Sequence, residues 1–179
     1  VSSFDTANVT KMDSMFAGCE AIEVLDLGSF NMSNVRDAKY MFQGCNNLRT
    51  IYASDAFAVS RYAACDSMFS YCYALVGGMG TAYDSMHVGW EYARIDSGTA
   101  APGYLAMKRG DVSGNGRLNV VDAQLAYDIS LGKCMALPDY AAMWPRADVT
   151  GAPGGGPDGQ VTANDAFAIQ YAALRGWGA

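Results

Sequence analysis

The sequence predicts an α+β solenoid of short strands and short helices, followed by a small all-α module of paired loop–helix units. Three observations predict it: a pattern that recurs every 26 residues at the front, a change of composition beyond Lys108-Arg109, and two aspartate-framed loops that each run into a helix. The 179 residues are 51% hydrophobic and 17% charged, enough apolar material for one ordinary core or two small ones and too much for a disordered chain.

The repeat comes first because it dictates the fold. Phe4, Asn8, Val9, Met15, Phe16, Gly18 and Cys19 recur as Phe30, Asn34, Val35, Met41, Phe42, Gly44 and Cys45, each 26 residues on. A looser third copy runs from Phe57 through Cys65, Met68, Phe69, Cys72 and Leu75, displaced by 27 from the second. Inside the units, Ile22-x-x-Leu25-x-Leu27-x-x-Phe30 and Leu48-x-x-Ile51-x-Ala53 are leucine-rich-repeat frames. In such frames the alternate apolar residues of a short strand face a solenoid core, which places strands at residues 25 to 27 and 51 to 53. Residues 12 to 19, Met-x-x-Met-Phe-x-Gly-Cys, carry helical spacing with a glycine near the end, so the short helical side of each coil is expected there.

The tempting chemistry in this half has structural explanations. Cys19, Cys45 and Cys72 recur at one repeat position, where cysteine acts as a small buried hydrophobe, and their spacing matches no zinc motif. Met15, Met41 and Met68 are expected in the core for the same reason. The glycine run at residues 77 to 80 lacks the Lys-Ser/Thr ending of a phosphate loop and reads as a turn. Asp84, Ser85 and His87 are close in sequence, whereas a catalytic triad converges from separate elements, so no enzymatic activity is expected. These units resemble the BspA-type bacterial surface leucine-rich repeat over residues 1 to 107, with residues 77 to 104 similar to the cap that closes such arrays. That resemblance implies an extracellular, cell-surface location in a bacterium and a display surface for a host protein or a glycan.

The second segment reads differently. Asp111, Ser113, Asn115, Asn119 and Asp122 stand at positions 1, 3, 5, 9 and 12 of a 12-residue loop, and the Arg117 carbonyl falls at position 7. A hard cation takes six to eight oxygens, which is what this spacing supplies. Gly116 at position 6 permits the sharp turn, Leu118 is expected to face the core, and residues 123 to 131 continue as a helix. An Asx-turn loop capping a helix would look similar. A second copy with the same grammar favours the metal: Asp148, Thr150, Asp158, Thr162 and Asp165 at positions 1, 3, 5, 9 and 12, Gln160 at position 7, then a helix over residues 166 to 174. Its loop carries a Gly/Pro insert at residues 151 to 157, expected to bulge outward at little entropic cost.

Two such units, both ending in Asp, resemble type I dockerins over residues 108 to 179. The resemblance implies calcium as a structural cofactor, two ions in all, and a cohesin module of a scaffold or cell-surface protein as partner. The family's recognition positions fall on Val120, Val121, Tyr127 and Asp128 in the first copy and on Ala163, Asn164, Gln170 and Tyr171 in the second. The net charge of −6 and pI near 4.5 exclude a nucleic-acid groove, and no apolar run reaches the length of a membrane span. The alternative expectation is a free-standing adhesin whose second module only stabilises the C-terminus.

Overall fold

In the computed structural model, residues 4–61, 63–108, 110–115, 117–133, 147–149, 151–152, 156–157 and 159–175 are described. The chain divides into two compact units, Val1–Met107 and Lys108–Ala179.

The first unit stacks the 26-residue repeat in space. Strand β1, Val24–Leu27, pairs in parallel with β2, Thr50–Ala53, in the register Val24↔Thr50 through Leu27↔Ala53. Strand β3, Leu105–Ala106, adds to β2 on its other side to give the order β1-β2-β3. Leu25, Leu27, Ile51 and Ala53 are buried, as alternation along the strands requires, and they join Phe30, Phe42, Leu48 and Phe69 in one core. The repeated phenylalanines form a column: Phe16 and Phe42 stack at 5.6 Å and Phe42 and Phe69 at 5.4 Å, with Tyr104 closing the column edge-on at 5.2 Å from Phe69.

The opposite side of each coil is not helical. Residues 12 to 19 form consecutive turns beside the isolated parallel bridges Lys11↔Asp37 and Asp37↔Ala64. The reason lies in where the amides go. The N–H groups of Met12, Ser14, Phe16 and Gly18 donate to the carbonyls of Asp37, Lys39, Met41 and Gln43, and those of Ala38, Tyr40, Phe42 and Gly44 donate to Ala64, Asp66, Met68 and Ser70. Alternate amides spent on the next coil cannot close bonds to a residue four back. The backbone also leaves the right-handed region twice per coil, at Ser14, Tyr40 and Ser67 and again at Gly18, Gly44 and Tyr71. Met41 and Met68 are fully buried as expected, whereas Met15 is 41% exposed because no described coil covers its face.

A loop segment completes this unit around Asp96. Two single-turn 3-10 segments, Trp90–Tyr92 and Gly98–Ala100, flank it, and the sequence-predicted turn at residues 77 to 80 wraps it. A Cβ at Gly77 would collide with the Gly103 carbonyl and the Asp96 carboxylate, so only glycine fits there.

In the second unit, helix α1, Val120–Ser130, and helix α2, Ala163–Arg175, pack on each other. The insert of the second loop folds back on itself: β4, Gly151–Ala152, pairs antiparallel with β5, Gly156–Pro157.

Candidate functional site

The two loop–helix segments of the second unit are built alike. In the first, Asp111 and Asp122 are both buried. Asp122 accepts the Ser113 N–H at 3.0 Å and the Asn119 N–H at 2.9 Å, which draws the end of the loop against its beginning. Asp111 accepts the Asn115 N–H at 3.0 Å and the Ser113 hydroxyl at 3.3 Å. The Asn115 side chain accepts the Arg117 N–H at 2.8 Å, and the Arg117 carbonyl accepts from the Asn119 amide at 3.4 Å. Gly114 takes a left-handed φ of 73° within this turn. Gly110, at φ 83°, lies so close to Leu118 that a Cβ would meet its Cδ1 at 2.9 Å.

The second segment repeats the plan. Asp148 and Asp165 are buried. Asp165 accepts the Val149 N–H at 2.9 Å and the Thr162 N–H at 2.8 Å, with the Thr162 hydroxyl at 3.0 Å, and Asp148 accepts the Gly159 N–H at 2.7 Å. The carboxylate that closes each loop thus also caps the helix that follows it. In α1 this is a full capping box, with Asn119 accepting the Val121 N–H at 2.8 Å while Asp122 holds the Asn119 N–H. Gly116, Thr150 and Asp158 lie outside the described residues, as does the side chain of Tyr171.

The donor chemistry of the first loop is carboxylate, hydroxyl, amide and carbonyl oxygen throughout, which suits a hard cation and not a soft one. Among the described residues no group of three or more His, Cys, Asp or Glu side chains is gathered for a metal. The first loop has only two carboxylates and would complete a calcium shell with neutral oxygens, which calcium accepts. The residues are therefore compatible with the ion.

Between α1 and α2 runs a groove lined by Val120, Ala123, Tyr127, Ala163, Phe167 and Gln170. Of the positions expected to meet a partner, Val120, Val121, Tyr127, Ala163, Asn164 and Gln170 are exposed, while Asp128 is half-buried and holds Lys133 at 3.3 Å. Phe167, 67% exposed, was not among the expected positions. Its spacing gives it away: it stands four residues after Ala163 and three before Gln170, on the same helical face.

In the first unit, Asp84 and His87 meet at 3.0 Å, and the His87 ring stacks on Tyr92 at 4.6 Å. Both side chains are about half exposed, which makes this a surface clasp. Cys45 and Cys72 are buried, and each thiol reaches back one coil, to the carbonyls of Phe16 and Phe42 at 3.0 Å. Burial pushes the Cys72 thiol up to about 12 and Cys65 to about 11, so neither is a nucleophile at neutral pH.

Residues 1–80 match the family described as Mycoplasma protein of unknown function, DUF285. That match covers the three coils and is consistent with the surface-repeat character read from the sequence. No curated protein and no solved structure matches the chain. Among the described residues no helix is long and apolar enough to cross a membrane.

Proposed function

We propose that residues 108–179 are a calcium-folded module of dockerin type, and that it attaches the chain to a cohesin of an extracellular scaffold or cell-surface protein. On this reading the first unit, a BspA-type leucine-rich-repeat domain, is non-catalytic cargo that displays a binding surface outside the bacterium. The observation that carries the proposal is the burial of the first and last aspartates of both loops in one small unit. Its described core consists of four alanines, three valines and two isoleucines, with Leu118, Leu125 and Ala168 packed beside it. Among the described residues that is little apolar area, which suits a module with another source of stability, and four buried carboxylates concentrate negative charge that the positive charge of a cation would offset.

Calcium supplies that charge, one ion per loop, and its binding free energy is then folding free energy. Asp111, Ser113, Asn115, Asn119, Asp122 and the Arg117 carbonyl would hold the first ion. Asp148, Thr150, Asp158, Thr162, Asp165 and the Gln160 carbonyl would hold the second. Folding orders the groove between α1 and α2, whose exposed Val120, Tyr127 and Phe167, with exposed Val121 nearby in sequence, form the apolar centre a docking partner would cover.

One observation favours a second reading, a free-standing adhesin with this unit as a C-terminal cap: the Asp122 carboxylate is tied to backbone N–H groups in the Asn119–Asp122 capping box. The two readings part in a pull-down of a panel of cohesins by the full chain, run in calcium, in chelator, and with Asp122→Ala plus Asp165→Ala. Capture in calcium that is lost in both controls is the expected result. A chain that folds in calcium and captures no cohesin overturns the docking function and leaves the cap.

A further inference from the structure

We propose that Tyr71, Tyr73 and Tyr83 form an angled aromatic corner, its rings edge-on to one another, that receives the pyranose rings of a neutral glycan. The inference rests on reading the first unit as displayed cargo and is independent of the docking module.

It starts from a backbone outlier. At one position of the coil the first two copies carry Gly18 and Gly44, at φ 71° and 76°, and the third carries Tyr71 at φ 65°. Glycine adopts this left-handed conformation freely, whereas an L side chain is strained there. The strain at Tyr71 is not repaid by full burial, because the residue is 54% exposed, and neighbouring Tyr73 is 64% exposed. Packing therefore does not account for the residue. Ser14, Tyr40 and Ser67 share the left-handed region as part of the repeat, so what sets Tyr71 apart is a large exposed ring where the other copies carry glycine.

The rings are also fixed. The Tyr71 N–H donates to the Tyr83 hydroxyl at 3.1 Å. Tyr71 meets Tyr73 at 6.1 Å and Tyr73 meets Tyr83 at 5.7 Å, both edge-on, and Tyr83 lies on the fully buried Tyr104 at 6.2 Å. Through Tyr104 the cluster is tied to the phenylalanine column, so a ligand meets aromatic surface whose ordering entropy is already spent.

The surroundings select the ligand class. In the rank of Tyr71 stand Gly18 and Gly44, and a Cβ at Gly18 would meet nothing within 4 Å. In the rank of Tyr73 stand Glu20 and Asn46, both exposed. Aromatic faces beside planar carboxylate and amide groups match a sugar, which offers apolar C–H faces and a rim of hydroxyls. Neither rank holds Lys or Arg, which disfavours anionic ligands. Coils spaced by about 4.8 Å set these ranks at intervals close to the length of one sugar residue. Two half-exposed rings are far short of the roughly 800 Å² that a protein partner covers on each side.

The test is calorimetric titration of the full chain with cellohexaose, xylohexaose, mannohexaose and laminarihexaose from plant walls, and with lacto-N-hexaose of animal type. Binding of at least one is expected, weakened about tenfold or more by Tyr71→Gly and by Tyr73→Ala. Tyr71→Gly should at the same time raise Tm by about 4 °C, because the left-handed strain is relieved. The titrations are run in calcium and in chelator with cohesin capture scored alongside, so a failure of docking leaves the glycan result standing. No binding of any of the five sugars, undiminished binding by Tyr71→Gly, or a Tm that does not rise overturns the proposal.

Discussion

Asp96 shows what one side chain does in this fold. It is almost fully buried, and its carboxylate accepts the Thr81 hydroxyl at 2.7 Å and the N–H groups of Met79, Thr81 and Gly98 at 2.8, 3.1 and 3.0 Å. Burial pushes its pKa up, but the bonds from the Thr81 side chain and from the Thr81, Gly98 and Met79 amides outweigh burial and hold it below the ordinary 3.8. A depressed folded-state pKa contributes stability that is present above 3.8 and is lost as pH falls below that value toward the folded one. Asp96→Asn should cost the first unit about 2–3 kcal/mol at pH 7, since the amide cannot accept four bonds and brings two donors of its own. It should also flatten the acid limb of the stability profile, read by urea melts at stepped pH; an unchanged acid limb would mean another group controls it. Sequence inspection reached the turn around this residue but not Asp96 itself, because three of its four bonds come from Met79 and Thr81, 15 to 17 residues away, and only the Gly98 N–H is local.

Among the elements, β1 and β2 were legible and the turns of residues 12 to 19 were not. Leu25 with Leu27 and Ile51 with Ala53 alternate in a way that only a strand with one buried face explains, and β1 and β2 stand there. The Met-x-x-Met-Phe spacing of residues 12 to 19 mimics a helix because three-residue turns and helical turns bring the same residues inward. Nothing in Ser14, Tyr40 or Ser67 announces a left-handed backbone, whereas glycine at 18 and 44 does. In the second unit the helices follow their loops as read, with α1 starting at Val120 and α2 at Ala163, each three residues earlier than the apolar pattern alone placed them. The caps decide that difference, since Asn119 and Asp122 secure the first turn of α1. Asn119→Ala removes the side chain that accepts the Val121 N–H and should cost the second unit about 1 kcal/mol. Chemical denaturation followed by helical circular dichroism checks it, and a loss several times larger in calcium than in chelator would show that Asn119 also serves the ion.

Taken whole, the chain is two units with different sources of stability. The first buries a column of phenylalanines and fully buried Leu27, Met32, Met41, Leu48, Ile51 and Met68. Among its described residues the second buries mostly small side chains and four aspartates. Heating the full chain in calcium should therefore give two transitions, with only the one assigned to the second unit moved by chelator. On the proposed calcium reading, the ion at a hundredfold excess over its Kd would add about 2.7 kcal/mol per site. A single transition insensitive to chelator would contradict the calcium reading. The change of residue pattern beyond 108 was visible in the sequence because repeat grammar stops and aspartate spacing begins there. How the second loop closes was not, since a Gly/Pro insert fixes no single path. A last consequence concerns how such a chain can change length. In the described stack of three coils, the amides of Met12, Ser14, Phe16 and Gly18, and then of Ala38, Tyr40, Phe42 and Gly44, each donate to the residue just before their own repeat mate on the next coil, so one bonding offset recurs with the repeat step. A gene segment encoding one whole step can be duplicated or deleted, and the new neighbours still meet donor to acceptor. An odd residue gained or lost inside a rung would instead shift every partner beyond it. The architecture thus tolerates copy-number variation in whole steps and, at the corners, the single extra residue that separates 27 from 26.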